Sequence, residues 1–195
     1  MEKEKKLQII RAAAKRFDRH GLNKTTLDEI ARDLRIGKAT IYHYFESKDE
    51  LYFQVLEWEG SMLLEELRII LSNREITLEE KLELYLLSKE NLQIKYKLIY
   101  DTIVAILNDK SFERENLFFS KLNSEEEKYL FDYLVPAGKI KADSYKDLVK
   151  ILLYQSWNFM FMKKLNLFVN IEKPAGTLNL LINYFQQEFI KDQPI

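Results

Sequence analysis

The sequence predicts an all-α chain of about nine helices. Only three prolines and five glycines occur in 195 residues, Leu, Lys and Glu are abundant, and apolar residues recur at a 3.6-residue period with no sustained two-residue alternation. Four Ser/Thr-x-x-Glu boxes add punctuation of a physical kind: Thr26 to Glu29, Ser47 to Glu50, Thr77 to Glu80 and Ser124 to Glu127. In each, the hydroxyl can accept from a free N–H of the first turn while the carboxylate reaches back, so each marks an expected helix start.

The first helix is expected from about Lys3 to His20, with Leu7, Ile10, Ala14 and Phe17 on one face and Gly21 as the left-handed residue that stops it. Leu27, Ile30, Ala31 and Leu34 stand at i, i+3, i+4 and i+7 and predict a short second helix, broken by Arg35-Ile36-Gly37. A third covers about Lys38 to Phe45. A fourth begins after Ser47 and runs to about Leu71 along Leu51, Val55, Trp58, Met62 and Ile69, long enough to join two units. Further helices are expected at about 78–92, 95–108, 112–122, 125–135, 144–166 and 175–190, with breaks at Asn108-Asp109, Pro136-Ala137-Gly138 and Pro174. No low-complexity linker or internal repeat separates them.

The formal charge is −1, so the whole chain names no polyanionic partner. The balance is uneven, however: residues 1–50 carry 12 basic and 9 acidic side chains, against 18 and 22 in the remainder. Zero Cys and two His (His20 and His43) remove disulfides, thiolate nucleophiles and most metal-site designs. The glycines are never closer than sixteen residues, which excludes glycine-rich phosphate loops. The carboxylates fall mostly in salt-bridging helical patterns with Lys, and no Ser, His and acid suggest a cleft, so an enzyme is not expected, nor a cofactor or metal. The start is charged, and the apolar stretch Leu148 to Met162 is too short to span a bilayer, which takes about 20 residues. A soluble cytoplasmic protein is the expectation.

Two helices of about eight residues joined by a three-residue turn have the size of a helix-turn-helix, whose second helix enters the DNA major groove. On the third helix, Ile41 and Phe45 are four apart and can plug into a small core of Phe17, Ile30 and Leu34. The opposite surface then carries Lys38, Ala39, Thr40, Tyr42, His43 and Tyr44: hydroxyls, an imidazole and an ammonium for phosphates or base edges, and a small Ala for close approach.

These residues resemble the N-terminal domain of the TetR family of transcriptional regulators. The likeness rests on Ala12-Ala13, Phe17 and Gly21, on Thr25-Thr26-Leu27-Asp28-Glu29-Ile30-Ala31, and on Lys38-Ala39-Thr40-Ile41-Tyr42-His43-Tyr44-Phe45-Glu46-Ser47-Lys48-Asp49-Glu50-Leu51. It covers about the first fifty residues. It implies that Thr26 contacts a phosphate from the start of the second helix, that Lys38 to Tyr44 form the recognition helix, and that Lys48 binds phosphate at the start of the fourth. The turn departs from the family's usual Ala-Gly-Val-Ser: this chain has Leu34-Arg35-Ile36-Gly37, with Arg35 where the turn Gly stands.

The resulting organisation is a DNA-binding domain over 1–46 and a helical ligand-binding and dimerisation domain over 47–195. The segment 144–166 is apolar almost all round and needs cover on both sides; with 175–190 it could build a four-helix interface with a second copy, and the resemblance implies the same homodimer. The family holds ligands between the fourth helix and the middle helices, which makes Trp58, Met62, Tyr96, Tyr100 and Asp101 candidates, together with Phe118, Tyr154, Trp157 and Phe161. A solid core presents the same aromatic stripe, and Asp101 has Lys97 four residues before it as another partner. The expected activity is a repressor that binds a near-palindromic DNA operator and is released by a small apolar or amphipathic effector. The alternatives are a DNA-binding dimer controlled by a protein partner or by no ligand, and a helical enzyme or lipid-binding module.

Overall fold

A computed structural model of the chain describes residues 2–108, 113–134, 147 and 149–158. Among them there is no strand. The helices are α1 (Glu2–Lys24), α2 (Leu27–Asp33), α3 (Lys38–Tyr44), α4 (Lys48–Ser72), α5 (Leu78–Glu90), α6 (Leu92–Lys95), α7 (Lys97–Asn108) and α8 (Glu113–Leu134), with a further helical stretch at 149–158. The chain forms two compact units, Met1–Glu65 with Leu92–Leu122 and Glu66–Asn91 with Asn123–Ile195. No described helix is long and apolar enough to cross a membrane.

In the first unit, α1 packs on α2 and α2 on α3. Their interior is Ile9, Ile10, Ala13 and Phe17 from α1, Leu27, Ile30 and Ala31 from α2, and Ile41 and Phe45 from α3 and its C-cap. The expected α1 face is thus rotated by a residue: Ile9 and Ala13 are fully buried, whereas Leu7 and Ala14 are only half-buried. Leu34, expected in this core, is also half-buried, because it is the C-cap where α2 leaves the bundle. Gly21 interrupts α1 with φ 76°, a backbone that a side chain would strain. Buried Thr25 closes that end, donating its hydroxyl to the Gly21 carbonyl at 2.9 Å.

The end of α2 is a Schellman motif. Ile36 N–H reaches back to the Ala31 carbonyl at 3.0 Å and Arg35 N–H to the Arg32 carbonyl at 3.1 Å. The motif requires a left-handed residue at position 35, and Arg35 takes it with φ 53° although glycine would carry no steric cost there.

The buried seam of α4 runs at four-residue intervals through Leu51, Val55, Glu59, Leu63, Leu67 and Leu71. The expected stripe through Trp58, Met62 and Ile69 is corrected: Trp58 is half-buried, and Met62 and Ile69 are 42% and 56% exposed. A carboxylate in mid-seam hides the true register. In the first unit Gly60 lets Phe118 approach α4 so closely that an added Cβ would lie 2.7 Å from the ring.

A second correction concerns α8, which is one helix from Glu113 to Leu134 rather than two meeting at Ser124. Leu122, Glu126 and Leu130 are all buried at four-residue spacing, so the inward face continues through the apparent capping box and nothing terminates the helix. The boxes at Thr26 and Thr77 do cap α2 and α5 as expected. At α4, Ser47 accepts from Glu50 N–H at 3.0 Å, while the Glu50 carboxylate takes the Glu46 N–H. The second unit buries Leu67, Leu71, Leu82, Tyr85, Leu130, Leu152 and Trp157. The expected helix 175–190 and most of 144–166 lie outside the described residues.

Candidate nucleic-acid interface

The interface begins with the inward anchors of α3. Ile41 is fully buried and Phe45 is 1% exposed, which fixes the helix's rotation and turns Lys38, Ala39, Tyr42 and His43 to solvent. Thr40 and Tyr44 are half-buried at the edges of that face. His43 and Tyr44 pack edge to face at 5.0 Å between centroids, so each ring limits the other's rotation. The Lys6 ammonium lies 5.5 Å above Phe45, at the back of the same helix.

Three of the expected DNA-contacting residues, Lys38, Thr26 and Lys48, are already engaged within the chain. Lys38 Nζ lies 2.9 Å from Asp28 Oδ1 and 5.7 Å above the Tyr42 ring, and its bond to Asp28 raises the ammonium's pKa above the ordinary lysine value. The Thr26 hydroxyl accepts from Glu29 N–H at 3.3 Å and donates to the Glu29 carboxylate at 3.0 Å. The Thr26 backbone N–H also donates to Glu29, at 2.9 Å, and these bonds hold the Glu29 carboxyl below its usual range. Half-buried Lys48 donates from Nζ to the Leu22 carbonyl at 3.0 Å, tying the start of α4 to the end of α1. Two of its three ammonium hydrogens remain for an anion.

Sequence reasoning missed what holds this face in place. Arg16 grips Asp33 through Nε at 2.6 Å and Nη2 at 3.0 Å, and its Nη1 stands 3.4 Å from Glu29, so one guanidinium clamps α1 to both turns of α2. The bond from Arg16 keeps Asp33 below the normal carboxylate range. It also missed three ties from α7. Tyr52 and Thr102 hydroxyls meet at 2.5 Å, Lys97 Nζ donates to the Asp18 carbonyl at 2.5 Å, and the Glu59 carboxylate accepts from Ile99 N–H at 3.2 Å. Burial is the main cause that lifts Glu59 to a pKa of about 7, opposed by the N–H groups of Ile99 and Leu98. The signal was present in the sequence as a carboxylate at the fourth place of an apolar i, i+4 series.

The ligand candidates fall in both units. In the first, Tyr96 and Tyr100 are buried, Trp58 and Phe118 are half-buried, Met62 is exposed, and Asp101 is exposed with Lys97 at 3.6 Å. In the second, Trp157 is buried and Tyr154 is 65% exposed, while Phe161 lies outside the described residues. Phe118 is occupied with Gly60 and with an edge-to-face contact to Phe53 at 6.1 Å.

Comparison with known proteins agrees with this geometry. Residues 9–55 match the family described as bacterial regulatory proteins, tetR family. Over 52 residues, 27% of either chain, the sequence is 42% identical to the HTH-type transcriptional repressor SCO4008 of Streptomyces coelicolor. The chain spans less than a third of the length of the curated relatives it matches. Across the whole fold it is similar to a TetR transcriptional regulator from Legionella pneumophila, with a TM-score of 0.61 at 18% identity over 91% of this chain and 95% of that one. It is also similar to the fatty acid degradation regulator FadR from Bacillus halodurans, with a TM-score of 0.54 at 17% identity over 96% and 98%. At such identities the structural likeness speaks for the fold alone, and the N-terminal match speaks for the head: residues 9–55 are similar to the N-terminal domain of bacterial regulatory proteins of the tetR family.

Proposed function

We propose that the chain is a homodimeric transcriptional repressor that binds a near-palindromic DNA operator through residues 1–46 and is released when residues 47–195 take up a small apolar or amphipathic effector. The observation that carries the DNA reading is α3 itself. Its two apolar residues are sealed in the core and its polar face stands free in a unit whose first fifty residues are net basic. In this reading Lys38, Ala39, Thr40, Tyr42, His43 and Tyr44 meet the groove, and Thr26 and Lys48 meet phosphates after exchanging their internal partners for the backbone.

The dimer is supported by Ile151 and Tyr154, apolar residues three apart on the helical stretch 149–158 that are 46% and 65% exposed. Covering them needs a second surface, and twofold symmetry supplies one. Effector release is supported by the bonds that join α7 to α4 through Tyr52 and Glu59 and to the head through Asp18. A ligand that binds one arrangement of these helices better shifts operator affinity by its coupling, typically about 5- to 150-fold. The name of the Bacillus halodurans neighbour makes acyl compounds the first class to screen.

The test is selection of bound genomic fragments, followed by fluorescence anisotropy on the selected duplex over a salt series. Wild-type affinity should fall steeply with salt, and Tyr42→Ala should weaken binding at least about tenfold with an unchanged melting temperature. Binding insensitive to both salt and Tyr42→Ala would reject the reading. Sedimentation of wild type and Tyr154→Lys tests the dimer, which should weaken in the variant.

A further inference from the structure

Away from α3, α1 and the end of α2 enclose an open concavity of about 410 Å³ whose wall carries Arg11, Lys15, Arg16, Arg19 and His20 on one side, with Asp33 and Leu34 on the other. Its one carboxylate is spent, since Asp33 is held by two nitrogens of Arg16. Arg11, Lys15 and Arg19 are exposed, and none has an ion pair among the described residues. They stand at i, i+4 and i+8, so they form a straight row along α1 with roughly 6 Å between steps. Nearby Lys38 and Arg16 hold carboxylates at ion-pair distance; among the described residues these three cations do not, though the Arg19 charge is felt by Asp33 from farther off.

From this row we infer a second DNA-backbone contact: α1 binds phosphates of duplex lying outside the base pairs read by α3. The inference rests on the operator-binding reading above and extends it. An open concavity bordered by such a row suits a strand that runs past it, and a row of cations can meet a backbone that offers one phosphate per ~3.4 Å of axis without fixed register. Nothing in the row reads bases, so its effect is on affinity and salt dependence, uniform over flanking sequence.

The experiment compares wild type with the triple variant Arg11→Ala, Lys15→Ala, Arg19→Ala, all surface positions outside the core and the α3 face. Both are titrated against the selected operator as a minimal duplex and as one extended by a helical turn or more on either side. The expected result is equal affinity on the minimal duplex and, on the long one, an affinity loss on the order of tenfold in the variant. The slope of log K against log salt should shrink by as much as about 2.7, at about 0.9 per lost phosphate contact. Identical slopes and affinities on the long duplex would overturn the inference while leaving the operator reading intact. If the variant loses equally on both duplexes, the row belongs to the operator contact itself and the flanking assignment is wrong. If wild type binds neither duplex, both readings fall together.

Discussion

The two units place their charges in opposite ways. In the first, the pairs that fix the helices lie at the surface: Lys38 and Asp28 are each about half exposed, and Arg16 reaches Asp33 from the edge of α1. In the second, Lys89 and Glu126 meet at 2.6 Å with no exposure at all. Tyr85 donates to the same carboxylate and shares a 2.9 Å bond with Ser156, while the Lys89 ammonium sits 3.6 Å above the Trp157 ring. Burial pulls the Lys89 ammonium below its ordinary pKa, with Glu126 opposing, and raises the Tyr85 phenol. Surface pairs contribute little to stability and can be traded for a phosphate at small cost; a buried pair is costly to assemble and far more costly to break. The first arrangement suits a surface that must change partners. The second suits an interior that must keep one packing.

The largest test breaks the buried pair. Glu126→Ala leaves an ammonium without its carboxylate and should cost about 3–5 kcal/mol. For a chain of this size that is a fall in melting temperature of roughly 10 °C by calorimetry or circular dichroism. The double variant Lys89→Met, Glu126→Leu should recover most or all of it; a single variant as stable as wild type would mean the pair constrains nothing.

Glu59 is the exception that sharpens the contrast, a nearly buried carboxylate within the first unit. Its folded pKa of about 7 lies above the ordinary 4.5, so the folded state holds the proton more tightly than the unfolded one. Its contribution is therefore complete below about pH 4.5 and is lost as pH rises through about 7, at most roughly 3 kcal/mol. Glu59→Gln keeps an acceptor for Ile99 N–H without the charge. Denaturant unfolding should show the variant matching wild type near pH 4.5 and gaining on it up to about pH 7. A constant difference across that window would refute the assignment.

Two smaller effects concern the turn and the recognition face. Arg35→Gly relieves the left-handed strain and should stabilise the chain by about 1 kcal/mol, net of the flexibility glycine adds to the unfolded state. Asp28→Asn should change stability by less than about 0.5 kcal/mol. It frees Lys38 and removes a negative charge beside the operator, so anisotropy should show affinity rising about two- to fivefold. Unchanged affinity would indicate that Lys38 leaves Asp28 on DNA without cost.

The head was legible in the sequence because each local signal agrees with the others there. The Thr26 cap, the i, i+3, i+4 series of α2, and Ile41 with Phe45 all point to one small core, and the bundle closes on those residues. Even the left-handed backbone at Arg35 was readable, since the turn type demands a positive φ whichever residue fills it. Legibility failed where burial contradicts residue type. Glu59 inside an apolar seam shifted the apparent face of α4 to Trp58 and Met62, and buried Glu126 carries the inward face of α8 straight through the apparent capping box from Ser124 to Glu127. Both carboxylates are paid for by partners about 40 residues distant, Ile99 N–H and Lys89, which no local window contains. For the same reason the candidate ligand residues could be named only by type, and their burial ranges from Tyr100 in the core to Tyr154 at the surface.

Gly60 gives the first unit a mechanical detent. Because the Phe118 ring rests where a side chain would otherwise project, α8 has one seat on α4, and sliding by a turn in either direction would drive the ring onto Leu56 or Leu64 instead of a bare backbone. Within the first unit that seat fixes the register of Phe118 against α4.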